Sequence, residues 1–365
     1  MNNKVKFPGR LGLQQRVLPS YRVPFFDMLA AACEDDMSLF AGRPRVEESI
    51  LNGELQVAKY APARNIHLFK GSFYFCYQRG FTDWLDAWNP DALIVEANPR
   101  YLSTPGAIIW MRRRGRPVIG WGLGAPPFSG TLKGLRQNGW ARFLNRFNAL
   151  IAYSQRGADE YAAYGIPREK IFVAHNAVSP APKAPPGRPL TINHITILFV
   201  GRLQARKRID SLLRACAEMP DPQPHLIIVG DGPERGNLEQ VAEQVYPSAM
   251  FVGARHGDAL KPYFTEADLF VLPGTGGLAV QEAMSHALPV IVAKGDGTQD
   301  DLVRPGNGWQ IPPGDDVALV STMREALSDL KRLRKMGAES FRIVSQEINL
   351  EKMVEVFVGA LNSVS

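Results

Sequence analysis

The sequence predicts an α/β protein made of two doubly wound domains, each with a parallel, Rossmann-like sheet. At 365 residues the chain is longer than one typical domain. Residues 195–345 alternate short apolar strands with helical segments, which is the pattern of a parallel sheet covered by helices. Residues 1–178 alternate in the same way, and the proline-rich segment 179–194 predicts a stiff linker between the two domains.

In the first half, Leu11 to Val17 reads as a strand, and a turn with two prolines then leads into a helix. Later strands are apolar runs, and one helix begins with Ser103-Thr104-Pro105, a capping residue followed by a proline on the first turn. The predicted strands are 11–17, 37–40, 66–69, 73–77, 92–96, 149–154, 170–176 and 117–124, the last of which ends in a Gly-rich loop. The predicted helices are 25–33, 81–88, 103–114, 131–147 and 156–164.

The second half is more regular. The predicted strands are 195–200, 225–229, 250–252, 269–272 and 290–293. The predicted helices are 209–218, 235–245, 259–266, 279–286, 317–327 and an amphipathic terminal helix over 347–361.

Composition narrows the class of protein. Hydrophobic residues make up 45% and charged residues 21%, a balance typical of globular proteins. The three cysteines show no metal or redox spacing, so we expect a reducing, cytoplasmic location. Residues 1–19 lack the apolar run of a signal peptide, and no stretch approaches the ~20 apolar residues of a membrane span.

The net charge of +6 is unevenly spread. Residues 1–178 contain 23 Lys and Arg against 14 Asp and Glu, whereas the remainder contains 19 against 22. The basic half, including Arg112–Arg114 and the helix 131–147 with Trp140 and Phe143, could face an anionic membrane surface or an acidic acceptor. The alternative is a solvated surface and a helix that covers the sheet. No nucleic-acid-binding motif accompanies the charge, so no nucleic acid partner is predicted.

Two glycine-containing segments follow strands of the second half and carry the strongest functional pattern. The strand 195–200 ends at Gly201, with Arg202 and Lys207 after it. The strand 269–272 runs into a segment with free backbone N–H groups, and a helix bearing Glu282 follows. Such N–H groups and cations bind phosphate, and a carboxylate one turn further on accepts hydrogen bonds from ribose hydroxyls. The pattern predicts a nucleotide-diphosphate site.

These segments also carry a family resemblance. The matching motifs are Gly201-Arg202-Leu203 with Lys207, Val229-Gly230-Asp231-Gly232-Pro233, and Glu282-Ala283-Met284 with Pro289-Val290-Ile291. In order and spacing they resemble family 4 of the retaining glycosyltransferases (group 1), which have the GT-B fold. The resemblance covers most of residues 195–320 and is weaker over residues 1–178. It implies two domains facing a cleft, with a C-terminal segment, 346–365, that returns to the N-terminal domain.

The resemblance also assigns roles. It implies a nucleotide-sugar donor, a glycan or lipid-linked glycan acceptor in surface polysaccharide synthesis, and transfer with retention of configuration. Arg202 and Lys207 would be catalytic, neutralising the leaving phosphate. The implied donor-binding residues are Gly201, Gly274, Thr275, Gly276, Gly277, Leu278, Glu282 and Arg255. No cofactor is implied, and no divalent metal either, because no Asp-x-Asp follows a strand.

The acceptor side of the N-terminal domain is less well marked. Its candidates, from loops that face the cleft in GT-B enzymes, are Arg16, Tyr21, Arg22, Trp121 and Leu123. Leu123 stands where family members commonly have a His, and Gly274 stands at the first Glu of a pair whose second member is Glu282. These departures fit a different donor sugar, for instance a deoxysugar. Two alternatives stay open: a non-catalytic nucleotide-sugar-binding subunit, or a sugar-nucleotide epimerase on the same fold.

Overall fold

A computed structural model describes residues 5–45, 48, 50–125, 128, 130–131, 133–189, 194–295 and 297–365. The chain divides into two compact units. The first comprises Met1–Val178 together with Leu350–Ser365, and the second comprises Ser179–Asn349. The last helix therefore belongs to the first unit, although it follows the second in the chain.

The first unit contains a seven-stranded parallel sheet in the order β3-β2-β1-β6-β7-β8-β9 and a separate antiparallel hairpin, β4-β5. Its strands are β1 Leu11–Val17, β2 Met37–Gly42, β3 Lys59–Pro62, β4 Arg64–Leu68, β5 Phe75–Arg79, β6 Ala92–Glu96, β7 Val118–Gly122, β8 Ala149–Ala152 and β9 Ile171–Val173. Its helices are α1 Val23–Ala31, α2 Phe81–Trp88, α3 Thr104–Arg112, α4 Lys133–Leu144, α5 Gln155–Ala163 and the terminal α13 Leu350–Asn362.

Apolar side chains cover both faces of this sheet, as a doubly wound fold requires. On one face α13 packs against α1 through aromatic rings. The ring of Phe357 lies 4.9 Å from that of Phe25 and 5.0 Å from that of Trp121, centroid to centroid. Edge-on contacts at such distances are favourable for aromatic pairs. They fix the terminal helix to the first unit.

The second unit contains a six-stranded parallel sheet in the order β12-β11-β10-β13-β14-β15. Its strands are β10 Thr196–Val200, β11 His225–Val229, β12 Met250–Gly253, β13 Leu269–Leu272, β14 Val290–Ala293 and β15 Gly308–Ile311. Its helices are α6 Ile209–Ala217, α7 Arg235–Val245, α8 Lys261–Glu266, α9 Ala279–Ser285, α10 Thr298–Leu302, α11 Asp316–Leu327 and α12 Leu330–Gln346.

The linker segment is not a free spacer, because one of its residues is hydrogen-bonded to the second unit. Of the predicted segment, residues 190–193 lie outside the described part of the chain, and 179–189 form no helix or strand. The guanidinium of Arg188 donates hydrogen bonds to the carbonyl oxygens of Phe264 (2.9 Å) and His286 (2.6 Å). Both carbonyl oxygens gain a charged donor, so Arg188 attaches the linker to the second unit.

The basic helix α4 covers the sheet with its aromatic side. Phe143 is buried in the core, and the ring of Trp140 lies 6.4 Å from that of Tyr164. Phe143 is therefore part of the core, and Trp140 packs against it while partly exposed. Within the described ranges, no helix has the length and apolar character needed to cross a membrane.

Candidate functional site

The second sheet reverses its strand order between β10 and β13. From β10 the chain moves outward to β11 and β12, and it then returns to β13 on the other side. In open α/β sheets, ligands bind beyond the carboxyl ends of the strands at such a switch point, because the two following loops diverge there. The segments after β10 and β13 are the two that the sequence analysis selected.

The two segments are directly joined. The backbone N–H of Thr275 donates to the carbonyl oxygen of Arg206 at 3.1 Å. The ammonium of Lys207 donates to the carbonyl oxygens of Thr275 at 2.8 Å and Gly276 at 2.6 Å. Lys207 thus holds residues 274–278, which we call the glycine-rich segment, against the end of β10.

Gly274 has a packing reason to lack a side chain. A Cβ added there would overlap the carbonyl oxygen of Arg206 and would lie 2.5 Å from the Cα of Lys207. A side chain at this position, such as the carboxylate that the family resemblance leads us to expect, is therefore incompatible with the way these two segments pack. Gly276 adopts a φ of 68°, a conformation that favours glycine.

The loop after β11 supports the segment after β10 from its other side. The backbone N–H of Leu203 donates to the carbonyl oxygen of Asp231 at 2.9 Å. Added Cβ atoms at Gly230 and Gly232 would overlap the carbonyl oxygens of Gly201 and Leu203, so both positions require glycine. Gly230 and Gly232 therefore serve close backbone packing.

The cations of the loop after β10 differ in how accessible their charge is to an anionic ligand. Arg202 is exposed, and no hydrogen bond or ion pair to another described residue engages its guanidinium. Lys207 is only 6% exposed, and burial together with the nearby charge of Arg206 lowers its pKa to about 8. Arg208 is bound to Asp316 at 3.0 Å, so its charge is already compensated. Arg202, Lys207 and Arg206 remain as the cations that an anion could meet.

Glu282 lies on the first turn of α9 and is half-buried. Burial raises the pKa of its carboxyl group, and the charge of Lys261 partly opposes this. Among the described residues, none forms a hydrogen bond or ion pair with the carboxylate of Glu282. A half-buried, unpaired carboxylate is an acceptor for ligand hydroxyls.

The other predicted donor-side residues lie at the same edge of the sheet without joining this contact. Gly277 packs against Leu272, where an added Cβ would overlap the side chain. Leu278 is exposed just before α9. Arg255 is exposed after β12, the edge strand, and its guanidinium donates to the carbonyl oxygen of Ala254 at 2.8 Å.

A polar cluster lies where β1 and β6 end in the first unit, which is the switch point of that sheet. The guanidinium of Arg16 pairs with Glu48 at 2.9 Å, and its backbone N–H donates to the carboxylate of Glu96 at 2.9 Å. Burial raises the pKa of Glu96 to about 7, although the hydrogen bond and charge of Arg16 act in the opposite direction. Arg16, a predicted acceptor residue, therefore has a carboxyl group with a raised pKa beside it.

Two of the predicted acceptor residues need correction because their side chains are buried. The ring of Trp121 is 1% exposed and packs among the core aromatics. Arg22 is also buried, where its guanidinium bonds to Asn176 and Ala177 and lies over Trp121. We therefore leave both out of the acceptor surface, whereas Tyr21 and Leu123 are exposed.

Sequence reasoning missed Glu96 and Lys261. Glu96 ends a strand that was recognised, but nothing in its apolar neighbours marks its position beside Arg16. The signal was the strand order: a charged residue ending a strand next to β1 belongs to the switch point. Lys261 is separated from Glu282 by a strand and a loop, and only the folded chain brings their charges near each other.

The two parallel-sheet units, with their switch points, define a protein of the GT-B class. Family models match both halves: "Glycosyltransferase Family 4" over residues 36–181 and "Glycosyl transferases group 1" over residues 188–342. The chain belongs to this family, glycosyltransferase family 4 of the group 1 enzymes.

Curated relatives match this chain over only part of their own length. A GDP-mannose-dependent alpha-mannosyltransferase of Mycobacterium tuberculosis is 31% identical over 191 residues, which are 48% of this chain and 47% of that protein. The protein of the same name from Mycolicibacterium smegmatis is 34% identical over 230 residues, 57% and 58% of the two chains. The chain thus spans about half the length of the curated relatives it matches.

Solved structures resemble the chain over nearly its whole length. Anabaena Alr3699/HepE in complex with UDP has a TM-score of 0.71 at 18% identity, covering 97% of this chain and 99% of that one. The lipopolysaccharide outer core galactosyltransferase WaaB in its apo form has a TM-score of 0.68 at 18% identity, with the same coverage. At these identities the likeness establishes the fold.

Proposed function

We propose that the protein transfers a sugar, with retention of configuration, from a nucleotide-sugar donor to a glycan or lipid-linked glycan acceptor. The observation that carries the proposal is the contact of Lys207 with the glycine-rich segment at the switch point, beside the unpaired Arg202. The relatives named as GDP-mannose-dependent transferases and the neighbour solved with UDP support a nucleotide-sugar donor.

The chemistry follows from the charges. When the sugar leaves, negative charge grows on the β-phosphate of the donor, and Arg202 and Lys207 would stabilise it there. The leaving phosphate would accept the proton of the acceptor hydroxyl as the new bond forms on the same face of the sugar. This scheme requires positioning and electrostatics rather than a protein base, which fits a chain with Leu123 in place of the family's His.

The packing at Gly274 affects which donor sugar the site can bind. Because its packing excludes a side chain, the carboxylate that contacts the sugar in family members has no counterpart there. We propose that the donor lacks the hydroxyl which this carboxylate would bind, as a deoxysugar does. Competition between matched deoxy and hydroxyl donors for the purified protein tests this, and a clear preference for the hydroxyl donor would contradict it.

Turnover tests the proposed transfer directly. Purified protein, a donor that binds and a lipid-linked acceptor extract should give a glycosylated product, and proton NMR of the new linkage should show the donor's anomeric configuration. The rate should be unaffected by EDTA, because Arg and Lys provide the countercharge. Donor binding without transfer would favour the binding-subunit alternative, and an altered donor sugar without acceptor would favour an epimerase.

Replacing Glu282 with alanine should weaken donor binding by roughly 10- to 100-fold, since hydrogen bonds to a charged group are each worth ~1.5–3 kcal/mol. Isothermal titration calorimetry measures the loss. The Tm of the donor-free protein should stay the same or rise, because a half-buried carboxylate without a partner is removed. Glu266→Ala, an exposed carboxylate at the end of α8, is the matched control and should bind donor normally.

Donor binding should depend on pH through Lys207. Its pKa of about 8 means that the ammonium is cationic below pH 8 and loses its proton above it. Because a phosphate binds the cation, the donor Kd should be constant below about pH 7.5 and should rise up to about tenfold per pH unit above about pH 8.5. Lys207→Arg should remove this dependence, since a guanidinium keeps its proton. A wild-type Kd that stays constant to about pH 9.5 would contradict the assignment.

A further inference from the structure

The hairpin β4-β5 in the first unit has an inverted face pattern. Its inward side chains are polar: the amide of Asn65 donates to the carbonyl oxygen of Arg16 at 2.8 Å, and the amide of Gln78 donates to that of Gln15 at 3.0 Å. His67, on the same face, bonds to the hydroxyl of Tyr74 at 2.8 Å. The polar face is thus satisfied against the body of the unit, and the hairpin is firmly held.

The outward face of the hairpin is apolar instead. Strand alternation places every second cross-strand pair on this side, namely Arg64 with Arg79, Ile66 with Tyr77, and Leu68 with Phe75. At the tip, Phe69 is 72% exposed and Phe73 is 75% exposed, one on each side of Lys70. Leu102, in the segment that runs beside β5, adds a further exposed apolar side chain.

We call this surface the hairpin face: the apolar Ile66, Leu68, Phe69, Phe73, Tyr77 and Leu102. Contiguous exposed apolar surface of this kind marks an interaction site, because a soluble strand normally turns its polar residues outward. Phe69 has a φ of 59°, which is uncommon for a bulky residue and presents its ring to solvent.

Exposed cations border the hairpin face. Segments 59–82 and 97–103 contain no Asp or Glu. Arg64, Lys70, Arg79 and Arg100 are exposed, and no described residue forms an ion pair or hydrogen bond with their charged groups. Their charge is therefore available to an anionic partner.

We propose that the hairpin face docks on an anionic lipid bilayer, with Phe69 and Phe73 inserted at the headgroup boundary and the four cations bound to lipid phosphates. Exposed aromatic rings that flank a lysine suit that boundary, where rings sit among headgroups and cations meet anionic lipid. A second copy of the chain fits poorly, because the same cations would face each other. The inference does not rest on the proposed transfer, since vesicle binding is measured without donor or acceptor.

Vesicle co-sedimentation tests the surface. Wild-type protein should bind vesicles of phosphatidylcholine with phosphatidylglycerol and should bind pure phosphatidylcholine much more weakly. Arg64→Gln with Arg79→Gln should reduce the apparent affinity at least about tenfold, because each cation near an anionic surface adds to the attraction. Phe69→Ser with Phe73→Ser should reduce it comparably, whereas Val317→Ser and Lys331→Gln, exposed positions in the second unit, should have no effect.

A fluorophore reports insertion even if a double variant is unstable. Cys33, Cys76 and Cys216 are all buried, so Phe73→Cys offers a single exposed thiol for a polarity-sensitive dye. A blue shift on adding anionic vesicles supports insertion. Three results would overturn the proposal: no wild-type binding to anionic vesicles, hairpin variants that bind as wild type does, or a wild-type oligomer that dissociates in the hairpin variants.

Discussion

Lys207→Ala is expected to reduce kcat/KM for glycosyl transfer by roughly 10²- to 10³-fold, the usual cost of removing one preorganised donor from a developing anion. The wild-type ammonium is buried and points to the carbonyl oxygens of Thr275 and Gly276, so its removal takes away both a phosphate partner and the contact between the two segments.

The two contributions can be separated. Lys207→Met keeps most of the apolar stem, and adding methylammonium to Lys207→Ala supplies a cation without a tether. If charge is the main contribution, methylammonium should restore part of the rate and methionine should not. Lys331→Ala, an exposed lysine on α12, should leave kcat/KM unchanged. A Lys207→Ala rate within about threefold of wild type would show that Lys207 does not stabilise the leaving group.

Gly274→Glu is expected to abolish measurable donor binding, even though it restores the residue that family members carry. The added Cβ would overlap the carbonyl oxygen of Arg206 and crowd the Cα of Lys207, so the two segments would have to separate. The ammonium of Lys207 would then lose its contacts with the glycine-rich segment, and the Tm should fall as well.

Gly236→Glu provides the matched control for this change. Gly236 lies near the start of α7 in the same unit, and an added Cβ there meets no atom within 4 Å. Its donor affinity should equal that of wild type. If Gly274→Glu instead binds donor normally, the close packing of the two segments is not what forms the site.

The sequence predicted the central strands well, because β10, β11, β13 and β14 are short apolar runs bounded by turn residues, and their observed limits differ from the predicted ones by one residue at most. It did not predict β15, whose Trp309 and Gln310 are only partly buried at the sheet edge, or α12, whose helix surface is dominated by Lys and Arg. Apolar alternation is weak in the short edge strand β15, whereas the buried Leu333, Met336 and Ile343 of α12 repeat at helical spacing, a signal that the sequence analysis overlooked.

In the candidate site, too, some features could be predicted from the sequence and others could not. Arg202, Lys207 and Glu282 could be selected from sequence because each follows a strand or begins a helix in a known motif. The packing that excludes a side chain at Gly274 could not be inferred, because Gly274 meets Arg206 only in the folded chain. Burial of Arg22 and Trp121 likewise depends on α13, which lies more than 200 residues away in the chain.

The most direct test of the account is a thermal-shift measurement of the purified protein with a panel of nucleotide sugars that includes GDP-mannose and UDP-glucose. A ligand that binds only the folded state raises Tm by mass action. Arg202 is exposed and unpaired, so Arg202→Ala should leave the donor-free Tm unchanged. One donor class should raise the Tm of the wild type and should not raise that of Arg202→Ala. A folded wild-type protein that shows no shift with any donor, or an Arg202→Ala variant that shifts equally, would contradict a nucleotide-sugar site between these two segments.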